Sequence, residues 1–153
     1  MKKYNVIGVM SGTSVDGLDI SFCRFIKNKK WKYEILNSKT YHYCNFWKKT
    51  LINLHLENKK KIKEIDVEFA KHISDKINHF VEKNKIKADI ISSHGHTVFH
   101  DPSKKITLQI GSGKVINELC KITTVNNFRK IDIDLGGQGA PLVPIGDKLL
   151  FQQ

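Results

Sequence analysis

The sequence predicts an α/β fold, a mixed sheet with N-terminal antiparallel strands flanked by helices, and three observations lead there. The first forty residues hold three apolar or alternating runs in quick succession, the pattern of an antiparallel meander. Residues 66–81 carry an apolar stripe at helical spacing. The second half then returns to strand-like and helix-like patterns by turns, which adds further strands to the same sheet.

Element by element, Tyr4 to Met10 is a nearly continuous apolar run that stops at Ser11-Gly12-Thr13-Ser14, a cluster of turn formers. Leu18 to Ile26 alternates with a period of two, and the Lys-rich segment 27–30 separates it from a third strand over Trp31–Leu36. Asn45–Leu56 reads as a helix. Asp66 is expected to cap a longer one whose Phe69, Ile73, Ile77, Phe80 and Val81 share a stripe. Between them Lys59–Lys63 reads as a solvated connector. Ala88–Ser92 reads as a strand entering a loop at His94-Gly95-His96-Thr97, and Thr97–His100 with Ile106–Ile110 reads as a hairpin around Asp101-Pro102. A helix from about Lys114 to Lys121 and a strand over Ile122–Val125 follow. There is no internal repeat and no linker, so a single domain over 1–153 is expected.

A chain of 153 residues buries roughly 68–70% of the surface its unfolded form exposes, enough for a core without disulfides or structural metal. No apolar run approaches the roughly 20 residues that span a bilayer, and a cytoplasmic protein without membrane contact is expected. Cys23, Cys44 and Cys120 are an odd number at irregular spacing, which predicts reduced, buried thiols. The formal charge of +11 invites a nucleic-acid reading. However, 24 of the 26 basic residues are Lys and only Arg24 and Arg129 are Arg, whereas base readout and bidentate phosphate recognition favour Arg. No nucleic-acid partner is expected.

Four segments carry candidate chemistry. Ser11 to Asp19 combines small residues, hydroxyls and two carboxylates between apolar strands, which suits either a plain hairpin turn or a nucleotide phosphate with a hydrated Mg²⁺. Gly111-Ser112-Gly113-Lys114 resembles a Walker A ending, but Leu108 and Val115 stand where that motif needs Gly and Ser or Thr, so it reads as a helix start. His94, His96 and His100 read as hydrogen-bonding pocket histidines in preference to metal ligands. Asn127 to Pro144 places Asp132 and Asp134 two residues apart, on one face if the segment is a strand, ahead of a Gly-Gly-Gln-Gly loop and of Pro141 suited to a helix start. A general base with a substrate loop and a plain strand–turn–helix corner both look like this.

Four runs together are more specific than any one. Met-Ser-Gly-Thr-Ser-Val-Asp-Gly-Leu-Asp at 10–19, Ser-His-Gly-His-Thr-Val at 93–98, Thr-Leu-Gln-Ile-Gly at 107–111 and Gly-Gly-Gln-Gly-Ala-Pro-Leu-Val-Pro at 136–144 resemble, in order and across essentially the whole chain, the anhydro-N-acetylmuramic acid kinases. The resemblance implies a ribonuclease-H-like lobe of the sugar-kinase, actin and chaperone-ATPase superfamily. It also implies a cytoplasmic enzyme of peptidoglycan recycling. That enzyme uses ATP and Mg²⁺ to open the anhydro bond of 1,6-anhydro-N-acetylmuramic acid and to phosphorylate O6, giving N-acetylmuramic acid 6-phosphate.

Residue by residue, the resemblance assigns ATP binding to Gly12, Thr13, Ser14, Val15, Asp16, Gly17, Leu18 and Asp19, with Asp16 and Asp19 near Mg²⁺. Asp132 becomes the catalytic base. His94, Thr97, Gly137 and Gln138 would line the pocket for the small-molecule sugar. The family's motif usually opens with Asp where this chain has Asn127 and carries a small residue at Asp134. Members of the family are more than twice as long, so the chain reads as an N-terminal lobe whose partner is a C-terminal lobe or a second copy in a homodimer, ending at Lys148–Gln153 partway through a helix. The alternative is a truncated, inactive remnant with weak phosphate or sugar binding.

Overall fold

The alternation along the first strand decides the architecture. In the computed structural model, which describes residues 1–151, Lys2–Ser11 (β1) buries Ile7, Val9 and Ser11 on one face. Tyr4 and Val6 turn to the opposite face, where they line an apolar groove with Leu149 and Leu150. Gly17–Lys27 (β2) runs antiparallel beside β1, with Ile20 opposite Val9 and Leu18 opposite Ser11, and Trp31–His42 (β3) returns along β2. β3 continues past the expected end at Leu36 because an edge strand needs no apolar cover over Asn37-Ser38-Lys39-Thr40, while its backbone still completes the ladder with β2.

The expected helix over Asn45–Leu56 is present as Asn45–Asn53 (α1) followed by a 3-10 turn, Leu54–Leu56. The next helix, Lys59–Asn84 (α2), begins earlier than expected. Lys59–Lys63 is its first turn and not a connector, and Asp66 lies inside it and not at its cap. Asn58 takes the cap, accepting a hydrogen bond from the Lys61 amide at 2.9 Å, and lysine is a good helix former once that amide is satisfied. Ile62, Ile65, Phe69, Ile73, Ile77 and Phe80 form the buried stripe of α2 and share one core with Ile7, Val9, Leu18 and Ile20 of the sheet.

Ile90–Asp101 (β4) lies parallel to β1 and places His96 beside Ser11. Its other edge pairs in parallel with the short Thr124–Val125 (β6), which is all that forms of the strand expected over Ile122–Val125, and then antiparallel with Ile106–Ile110 (β5). The sheet order is β3-β2-β1-β4-β5 with β6 on β4. The loop expected at 94–97 is therefore strand. Gly95, at φ 68°, is the point where β5 comes too close for any side chain, since a Cβ there would strike the Ile110 carbonyl. Gly113–Cys120 (α3) follows β5 and packs on α2.

The strand expected to carry Asp132 and Asp134 on one face is a short helix, Lys130–Asp134 (α4). Lys130 and Asp134 pair across one helical turn at 2.5 Å, and Ile133 is 1% exposed while Ile131 is 72% exposed. The Ile-Asp-Ile-Asp alternation thus has no sheet to join. Pro141 caps Leu142–Leu150 (α5); Gln152 and Gln153 lie outside the described residues. The three thiols are free, but Cys44 is exposed and Cys23 and Cys120 are half-buried, against the expectation that all are buried. No helix among the described residues is long and apolar enough to cross a membrane.

Candidate active site

Asp132 is held by the glycine loop that follows it. The chain leaves α4 through Gly136 at φ 88°, a left-handed conformation that glycine adopts without a Cβ clash. It then folds back so that the Gly137 amide donates to the Asp132 carbonyl at 2.7 Å and the Gly139 amide donates to Asp132 Oδ2 at 2.6 Å. A Cβ on Gly137 would collide with the Asp132 carboxylate. The Gly-Gly-Gln-Gly run therefore exists here to wrap a carboxylate, leaving that carboxylate half-buried with one oxygen tied to backbone.

Arg129 joins this loop to the sheet. Its Nε donates to His94 Nε2 at 3.0 Å and its NH1 donates to the Gly139 carbonyl at 2.8 Å. Because Nε2 of His94 accepts, the ring proton sits on Nδ1, where it is donated to the Gly95 carbonyl at 3.1 Å. Burial holds the His94 pKa below the ordinary histidine value and the Arg129 charge lowers it further, with the Gly95 carbonyl opposing both. His94 is thus a neutral, oriented imidazole beside the Asp132 loop.

The Gly12–Asp19 run forms the connection from β1 into β2. Val15 is buried at φ 55° and its amide donates to the Gly12 carbonyl at 3.2 Å. Thr13, Ser14, Asp16 and Asp19 are exposed, while Leu18 belongs to the core. Gly17 is required by packing, since a Cβ there would lie 2.7 Å from the Tyr41 carbonyl oxygen. Asp19 accepts from the Thr40 hydroxyl at 2.5 Å. Just before the turn, Ser11 Oγ accepts from the Tyr43 hydroxyl at 2.9 Å and lies 3.1 Å from His96 Nδ1. All three side chains are buried. Burial pushes the Tyr43 phenol up to about 12, with the Asp19 charge adding to it and the Ser11 contact opposing it.

A cavity of 470 Å³ opens beside His94, lined among others by Asp66, Gln109, Lys114, Asn126 and Lys130, a size suited to a small molecule. Asp66 reaches from α2 to accept the Gly111 amide at 2.7 Å, shaping the turn into α3. Burial raises the Asp66 pKa, and the Gly111 and Ser112 amides partly offset that. Gln109 donates to the Thr107 hydroxyl at 2.8 Å, and its Oε1 is buried without a partner among the described residues.

Of the residues singled out from sequence, the fold brings His94, Asp132 and Gly137 into one cluster. Thr97 lies further along β4 beside Gln109, and Gln138 is exposed between the two glycines that hold Asp132. Asp134 turns away to Lys130. Ser11 and His96, named within the candidate segments, meet in the buried contact with Tyr43, whereas Arg129, Tyr43 and Asp66 are not singled out as site residues by the sequence. Arg129 was findable as one of two arginines in a chain of lysines, but Tyr43 and Asp66 carry no local signal.

Comparison with known proteins covers almost the whole chain. The family model described as anhydro-N-acetylmuramic acid kinase matches residues 4–153. Curated relatives carrying that name include one from Pelagibacter ubique (strain HTCC1062), 35% identical over 99% of this chain and 42% of its own length. A second, from Sulfurimonas denitrificans (strain ATCC 33889 / DSM 1251), is 34% identical over 96% of this chain and 41% of its own length. A third, from Crocosphaera subtropica (strain ATCC 51142 / BH68), is 37% identical over 95% and 40% respectively. The chain thus spans about two fifths of the length of these relatives. It belongs to the anhydro-N-acetylmuramic acid kinase family.

Proposed function

We propose that residues 1–153 form the N-terminal lobe of a cytoplasmic, ATP-dependent sugar kinase. Its reaction opens the anhydro bond of 1,6-anhydro-N-acetylmuramic acid and phosphorylates O6, within peptidoglycan recycling. The observation that carries this reading is the Asp132 carboxylate, held on one oxygen by the Gly139 amide beside a neutral His94. The strand order, with three antiparallel strands followed by β4 parallel to β1, agrees with a ribonuclease-H-like lobe of the actin-like ATPases. The apolar Leu142, Val143 and Ile145 exposed on α5 are surface that a second lobe would cover.

In this reading Asp132 is the general base. With one oxygen fixed by Gly139, the other is free to take a proton from a water that attacks the anomeric carbon, and the bridge oxygen released at C6 is then the acceptor for the γ-phosphoryl group. His94, with Nε2 already engaged by Arg129, orients the wall of the sugar pocket. Thr97, Gly137 and Gln138 are assigned to the same pocket. The exposed hydroxyls of Thr13 and Ser14, in a turn opened by Gly12, suit phosphate oxygens.

Asp16 and Asp19 are both exposed oxygen donors near that turn, a set that fits Mg²⁺ held by one or two carboxylates, phosphates and water. When bound, Mg²⁺ would neutralise phosphate charge. Val15, Gly17 and Leu18, assigned to the same ATP-binding run, support it from beneath.

The test is to incubate the chain with Mg-ATP and 1,6-anhydro-N-acetylmuramic acid, alone and with a separately made polypeptide corresponding to the remainder of a relative, and to follow the 6-phosphate by mass spectrometry. Product in either mixture, lost in Asp132→Asn while Mg-ATP binding survives, supports the reading. Product in neither mixture overturns it, and turnover retained by Asp132→Asn removes that residue from the role.

A further inference from the structure

Tyr43 touches the Gly12–Asp16 turn at both of its ends. Its backbone amide donates to the Asp16 carbonyl at 3.3 Å, and its hydroxyl donates to Ser11 Oγ at 2.9 Å. These contacts bracket a segment with an unusual conformation. Val15 sits at φ 55°, where a β-branched side chain is strained, a cost that persists only when the surroundings over-determine the backbone.

The surroundings do so here. The Val15 side chain is 3% exposed, inside the core. The Tyr43 ring packs against Phe69 and His72, with centroids 6.1 and 6.0 Å away, so the phenol has one place to go. Ser11 Oγ, having accepted from Tyr43, has its own proton to give to His96 Nδ1 at 3.1 Å. The chain of donors runs from Tyr43 through Ser11 to His96, across β1 into β4.

We propose that Tyr43 is a positioning residue that clamps the Gly12–Asp16 turn in a single conformation, with Ser11 and His96 as its anchor in the sheet. The clamp presents the exposed Thr13 and Ser14 hydroxyls in one arrangement, which on the reading of this turn as phosphate-binding makes Tyr43 a determinant of nucleotide affinity without contact to the nucleotide. Nothing in the turn's own residues supplies this. The hold comes from a side chain 32 positions beyond Ser11 in the sequence, after β2 and β3.

Tyr43→Phe in the full 153-residue chain removes the hydroxyl and leaves the ring in its packing. The readout is amide hydrogen exchange resolved by NMR. The expected result is exchange at the Val15 amide at least about tenfold faster, with the Ile91 amide in β4 unchanged. Ser11→Ala, which removes the same acceptor, should do likewise. Unchanged exchange at Val15 overturns the clamp, and an equal rise at Val15 and Ile91 overturns it too, because that is a global loss of stability. Titration with Mg-ATP, followed on the Gly12–Asp19 amides, separates the two ideas. In the variant the dissociation constant should rise about tenfold, while the response of the Gly137 amide to 1,6-anhydro-N-acetylmuramic acid is unmoved. An unaltered constant overturns the effect on affinity. If the wild-type turn does not respond to Mg-ATP at all, the phosphate reading fails, and the exchange result still decides whether Tyr43 holds the turn.

Discussion

Arg129 and His94 meet at 3.0 Å, guanidinium Nε to imidazole Nε2, and through this contact a strand of the sheet is tied to the loop that holds Asp132. The same guanidinium reaches the Gly139 carbonyl, and the Gly139 amide reaches the Asp132 carboxylate. The histidine cannot donate to Arg129, so its tautomer follows from the contact. The residue Gly139 is held on both sides, by Arg129 at its carbonyl and by Asp132 at its amide.

Arg129→Met should lower stability by about 1.5–3 kcal/mol, the usual range for hydrogen bonds to a charged group whose partners are left half-buried. Arg129→Lys should restore little of it, because an ammonium lacks the fork that points at His94 and Gly139 together. Urea unfolding checks both. A midpoint unchanged in Arg129→Met would show that the two contacts contribute nothing net.

Stability should fall as the pH drops below about 6.5. Burial holds His94 and His96 below the ordinary value of 6.5, with the Arg129 charge assisting at His94 and the neighbouring His94 assisting at His96. Burial, then Lys76, does the same at His72. In that window the unfolded chain binds protons that the folded chain does not, so protonation favours unfolding, and the lost stability levels off only below the folded values. Chemical unfolding followed from about pH 7.5 to pH 5 measures the slope. Stability that rose on acidification across that range would contradict it.

Gly137→Ala should be more damaging than its small size implies. The new methyl would occupy the space of the Asp132 carboxylate, and the loop must shift or the carboxylate must turn. A cost of about 1–3 kcal/mol is expected from the overpacking. On the proposed function, product formation should fall by orders of magnitude while Mg-ATP binding is retained. A variant with ordinary turnover would show that Asp132 need not stay where Gly139 holds it.

Asp66→Ala should expose what a helix-interior carboxylate does for a distant turn. It leaves the Gly111 amide without its acceptor, at a cost of about 1–3 kcal/mol. Asp66→Asn should be milder, since the carboxamide oxygen can still accept from Gly111. Thermal unfolding of the two variants, compared with the wild type, decides it.

Much of the fold was legible because period-two alternation and a helical stripe are local signals. β1, β2 and β5 appear where their apolar residues place them, and α2 buries the expected stripe although it begins at Lys59, ahead of Asp66. The errors share a cause. Lys59–Lys63 reads as a solvated connector from its charge, when the Asn58 side chain caps a helix that starts there. His94–Thr97 looked like a loop because Gly95 reads as a breaker, when it marks the approach of β5. Ile131-Asp132-Ile133-Asp134 looked like a strand because alternation does not reveal whether a neighbouring strand is available to pair.

What the sequence by itself determined is most of the strands and helices and the run of motifs that places the chain in its family. Only the tertiary structure decided which residues meet. His94 and Arg129 are 35 positions apart, Tyr43 and Ser11 are 32, and Ser11 and His96 are 85. The physical reason is that a hydrogen bond depends on two groups arriving within about 3 Å. That arrival is set by how β1 pairs with β4 and where α4 packs, a relation between distant segments that no local pattern of residues records.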